Sequence, residues 1–150
     1  MELRMMRLLK TPLCAALLLL SPLALADVEY HTPNPDRPFS EAVRVDDMLY
    51  LSGQIGFDEA TGALAEGGIV GETKKTMENI KATLDKYGSS LSQVVKCTVY
   101  LADIAEWGAM NEVYVTFFPV NPPARSALGS SGLALGARTE IECMATVGED

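Results

Sequence analysis

The sequence predicts an α+β domain in which two amphipathic helices pack on one face of a mixed β-sheet. Two helical stripes and the strand-like runs around them carry that prediction. Met77, Ile80, Leu84 and Tyr87 recur at helical spacing, as do Ile104, Trp107, Met110, Val113 or Tyr114, and Phe117. Runs rich in β-branched residues stand before, between and after them, giving the order β-β-β-α-β-α-β-β. A chain in that order buries both stripes by laying the helices together on the sheet.

Residues 1–26 read as a secretory signal segment: Arg4, Arg7 and Lys10 precede a nearly apolar run from Leu13, and Ala24-Leu25-Ala26 supplies small residues for cleavage before Asp27. The run is shorter than a membrane span and broken by Pro12 and Pro22, so no membrane-spanning segment is expected after cleavage. Residues 27–150 form one domain. Val28 to Tyr30 is a short strand, and the prolines at 33, 35 and 38 make a loop of the stretch after it. Ala42–Val45 and Met48–Ser52 form a hairpin about Asp46-Asp47, and Asp58 to Gly68 is a glycine-rich excursion turning at Thr61-Gly62. The first helix spans about Gly71 to Tyr87, stopped by Gly88. Val94–Leu101 is a central strand. Asp103 and Glu106 make a capping box, with the aspartate accepting from first-turn amides and the glutamate reaching back, and Pro119 stops the second helix. Its Trp and Met stripe reads as core. In the last strand Ile141, Cys143, Ala145 and Val147 face one way, and Arg138, Glu140 and Glu142 the other.

Charge and composition narrow the function. The signal segment carries three cations and one anion, so its loss takes the net charge from −8 to −10. That balance opposes phosphate backbones, and nucleic acid is not an expected partner. His31 is the sole histidine, which makes a His-based metal site or a Ser-His-Asp triad hard to build; an exposed imidazole is its expected state. Cys97 and Cys143 lie in apolar strands, where two buried thiols are the plainer reading, although export would let a disulfide persist.

Five segments then occur in order. They are Pro38-Phe39-Ser40-Glu41-Ala42-Val43, Leu51-Ser52-Gly53-Gln54-Ile55, Met110-Asn111-Glu112-Val113-Tyr114, Pro123-Ala124-Arg125-Ser126 and Glu140-Ile141-Glu142. Together they resemble the successive signatures of the Rid (reactive intermediate deaminase) or YjgF-type family, across essentially the whole of residues 27–150. The resemblance implies a chorismate-mutase-like fold, a homotrimer with sites between subunits, and hydrolysis of 2-aminoacrylate-type enamines and imines to 2-oxo acids and ammonia. It implies neither metal nor organic cofactor.

That chemistry needs a carboxylate clamp and a proton carrier. Arg125 offers the planar fork that holds a carboxylate at two points, stiffened by Pro122-Pro123. Glu140 matches the family carboxylate that would orient water and move its proton, whereas Glu142 reads as a solvated residue of the same strand face. The resemblance adds Phe39 where many relatives have tyrosine, Ser52 and Gly53 in a ligand-contacting turn, Asn111 as a lining amide, and Ala127 where many have cysteine. Three classes stand: a deaminase acting on carboxylate-bearing imines, a module that binds small carboxylates such as 2-oxo acids without turnover, and a ribonuclease or chaperone-like protein. Export places any of them in the periplasm or outside the cell.

Overall fold

The computed structural model describes residues 25–148. Most of the expected signal segment therefore lies outside the described residues. Among those described, no helix is long and apolar enough to cross a membrane.

Strands β1 (Val28–His31), β2 (Ala42–Val45) and β3 (Met48–Leu51) form an antiparallel meander, with Asp46 taking the turn at φ 52°. The short β4 (Gln54–Ile55) comes next, and β5 (Phe57–Asp58) and β6 (Ala63–Leu64) make a separate small hairpin within the expected excursion. Helix α1 (Gly68–Lys86) begins three residues earlier than its stripe predicts. Its entry is a left-handed turn at Gly67 and Gly68 rather than a capping side chain, so no capping signal marks it. Strand β7 (Val94–Leu101), helix α2 (Trp107–Tyr114), β8 (Ala124–Gly129) and β9 (Thr139–Thr146) complete the chain, with single 3₁₀ turns flanking α2.

The main sheet runs β1-β2-β3-β9-β7-β8, and β4 also pairs with β9. Only β7 and β8 are parallel; α2 supplies the crossover that a parallel pair needs. Met77, Ile80 and Leu84 of α1 and Met110 and Tyr114 of α2 are buried with Cys97, Val99, Leu101, Ile141, Cys143 and Ala145 of the two central strands. This is the expected α+β layer. Asn79 fastens it to the site, its amide nitrogen donating to the carbonyls of Ile55 and Phe57 at 3.0 and 2.9 Å.

Four expectations change. Cys97 and Cys143 are not two thiols: register places them opposite each other on β7 and β9, and they are disulfide-bonded. Trp107 and Ile104 are not core but 43% and 52% exposed, because the stripe of α2 starts beyond the sheet margin and only Met110 and Tyr114 sit over it. Glu106 does not close a capping box; Asp103 accepts from Ala105 as expected, while Glu106 pairs with the Arg138 guanidinium. His31 is half-buried, stacked on the Tyr87 ring at 4.1 Å between centroids.

Candidate active site

The seven residues singled out from sequence fall into two groups on opposite faces of the sheet. Arg125 stands in one register row with Cys97 and Cys143, so it points to the helix side. There its Nη2 donates to Asn111 Oδ1 at 2.8 Å. Its guanidinium carbon lies 4.6 Å from the centroid of the Tyr114 ring and 5.6 Å from that of Trp107. Two aromatic faces and one amide hold the cation at the β8 margin, a site whose aromatic part the stripe of α2 had hidden as core. Ala127, next on the same side of β8, packs against the core instead of lining a cavity. Burial pushes the Tyr114 hydroxyl up to about 12, against the opposing pull of Arg125.

Glu140 belongs to the other group. It alternates with the buried Ile141 and therefore points to the face away from the helices, in register with Tyr100 and Ile55. Gly53 makes room for it: a Cβ there would stand 2.1 Å from Glu140 Oε1, so any side chain would displace the carboxylate. Burial raises the Glu140 pKa above the ordinary glutamate value, and the neighbouring Glu142 raises it further. Glu142 is not simply solvated; it is half-buried and accepts from the Tyr100 hydroxyl at 3.3 Å.

Glu140, Gly53 and Phe39 share a cleft of about 650 Å³ with residues of β4, β5, α1 and the turn before β9. Ser52 stands behind it, its hydroxyl donating to the Ser40 carbonyl at 2.7 Å and its amide to the Glu41 carbonyl at 3.1 Å, which holds the segment bearing Phe39. Sequence reading missed Lys86, Glu41 and Leu135 on the cleft wall. Arg125, Asn111 and Ala127 do not line this cleft. Within one chain Arg125 and Glu140 are thus apart.

A family model described as "Endoribonuclease L-PSP" matches residues 29–147. The chain belongs to the L-PSP family, the group also called Rid or YjgF. Among L-PSP relatives, the mouse 2-iminobutanoate/2-iminopropanoate deaminase is 43% identical over 74% of this chain and 82% of its own length. The human protein of the same name is 42% identical over 77% and 85%. Among solved L-PSP folds, RidA from an Antarctic Psychrobacter superposes with a TM-score of 0.71 at 37% identity, covering 77% of this chain and 94% of that one. The Escherichia coli YjgF gene product gives 0.71 at 27% identity, over 77% and 93%.

Proposed function

We propose that this protein hydrolyses 2-imino acids, and the enamines in equilibrium with them, to 2-oxo acids and ammonia, with Glu140 as the proton carrier and Arg125 as the carboxylate clamp. The observation that carries the reading is the Glu140 carboxylate, seated against Gly53 with its pKa raised, in a cleft large enough for a substrate. The names of the relatives support the same chemistry.

In the reaction, water adds to the C=N carbon while Glu140 takes its proton and passes it to the imine nitrogen, which gives the carbinolamine and returns Glu140 to the carboxylate. The carbinolamine then collapses: its C–N bond breaks, the hydroxyl proton passes through Glu140 to the leaving nitrogen, and ammonia departs from the 2-oxo acid. Arg125 holds the substrate carboxylate with N–H groups that Asn111 does not use.

Because Arg125 and Glu140 lie on opposite faces, we place the working site between copies of the chain, in a homotrimer. The sheet face away from the helices supports assembly: Tyr30, Tyr50 and Met144 are exposed on one cross-strand row, and no helix of the described residues covers them. Export is part of the proposal as well. The buried Cys97–Cys143 disulfide fits an oxidising compartment, and the acidic balance and the acids of the cleft disfavour a nucleic-acid substrate despite the family description.

The test is turnover of freshly generated imines by the purified protein, with Glu140→Gln and Glu142→Gln beside the parent. Glu140→Gln should lose about a hundredfold or more in kcat while still binding 2-oxo acids. Glu142→Gln should keep turnover near neutral pH and extend it to lower pH, because it removes a charge that raises the Glu140 pKa. A parent that binds 2-oxo acids without turning imines over would be a binding module instead.

A further inference from the structure

Leu135 costs the chain twice. Its backbone is left-handed at φ 57°, where a side chain crowds the following carbonyl, and the side chain itself is 72% exposed. The turn holding it is fixed, with the Gly136 amide donating to the Leu133 carbonyl at 3.2 Å and the Ala137 amide to the Ala134 carbonyl at 3.0 Å. Strain persists where surrounding structure imposes it, and it gathers at ligand sites. Leu135 is no part of the core; it lines the same cleft as Glu140.

We propose that Leu135, with Phe39, Ile55 and Phe57, forms an apolar subsite for the substrate side chain, so that the preferred substrates are imines of amino acids with bulky apolar side chains, branched or aromatic. The proposal rests on the imine reading above and names its substrate class. Size is the first argument: in the single chain the cleft measures about 650 Å³, within the range of roughly 300–1,000 Å³ seen for small-molecule sites. The polar wall is the second. Lys86 is bonded to Glu41 at 2.7 Å, Lys75 lies 3.7 Å from Asp58, and Asn79 is spent on two carbonyls. A substrate side chain seeking these groups would have to break one of these pairs, whereas Phe39, 51% exposed, and Leu135 offer surface that gains by being covered. Arg37 and Glu59, both exposed at the cleft with no ion pair among the described residues, make a charged side chain the rival.

The test measures binding of pyruvate, 4-methyl-2-oxopentanoate, phenylpyruvate and 2-oxoglutarate by calorimetry. Alongside it runs turnover of imines made in situ from alanine, leucine and phenylalanine by an amino-acid oxidase. The two bulky apolar acids should bind about tenfold or more tighter than pyruvate, the scale of two or three buried methylenes. Leu135→Asn, a residue that accepts left-handed backbone, should cut that ratio severalfold. Equal affinities, a preference for 2-oxoglutarate, or a ratio unmoved by Leu135→Asn would overturn the subsite. So would an effect of the variant confined to oligomeric state in light scattering, which would make Leu135 a subunit contact. Turnover of the alanine imine without the binding ladder would leave the hydrolase and remove the subsite; the ladder without any turnover would leave the subsite and remove the hydrolase.

Discussion

Trp107 stands beside Arg125, and it is the only tryptophan in the chain. Its ring is a positioning wall for the guanidinium, so Trp107→Leu should weaken binding of a 2-oxo acid about two- to fivefold, the size of an exposed cation–π contact of about 0.5–1 kcal/mol. The parent's indole fluorescence should change as a carboxylate reaches Arg125; a flat titration in the presence of calorimetric binding would sever the two. Glu140 yields a stability prediction whose sign is set by its raised pKa. The folded state holds the proton more tightly than the unfolded chain, so this residue favours folding below the ordinary glutamate value and loses that contribution as pH rises through the raised one. At neutral pH it is a cost. Glu140→Gln should therefore raise Tm slightly at neutral pH in a thermal melt, while turnover falls about a hundredfold or more. The motifs singled out Arg125 and Glu140 as candidates, but strand alternation and register were needed to see that one chain keeps them on opposite faces.

Glu41, just before β2, is tied to the C-terminal end of α1 by Lys86 at 2.7 Å and the Tyr87 hydroxyl at 2.6 Å, and His31 of β1 stacks on the Tyr87 ring. Burial alone would raise the Glu41 pKa, but the hydrogen bonds from Lys86 and Tyr87 outweigh it and hold the carboxyl below the ordinary glutamate value. Its contribution to stability is thus present above that value and lost as pH falls through the lowered one. Glu41→Gln should lower Tm at pH 7, and the gap from the parent should close below about pH 4, which a thermal-melt series across pH would show. Nothing in the linear sequence announces this knot, since Glu41 and Tyr87 stand 46 positions apart. The stripe of α1 and the strand Val94–Leu101 were legible because each carries its period within one element. The outer end of α2 was not, because periodicity finds a stripe without telling which of its residues overhang the sheet. The disulfide escaped for a related reason: two cysteines in two apolar strands become partners only once the register of β7 on β9 is known.

With the clamp and the carboxylate on opposite faces, two inactive variants should repair each other. Arg125→Ala and Glu140→Gln chains, unfolded and reassembled together in equal amounts, rebuild an intact site wherever the right neighbours meet. Random cyclic trimers would restore about one quarter of the parent's sites. Activity of the mixture that stays at the level of either variant alone would mean that each chain carries a whole site. The layer architecture and the order of its longer elements were open to reading because burying two stripes on one sheet admits few solutions, whereas the two-residue strands β4, β5 and β6 before α1 were too short to carry a period. A boundary between copies has no such signature, since a core face and a contact face are both apolar. The divided site proposed above also makes catalysis a matter of dilution. An enzyme complete within one chain keeps its specific activity however thinly it is spread, but a divided site fails once the copies drift apart. Rate per chain should therefore fall as the protein is diluted through its dissociation constant and recover on reconcentration.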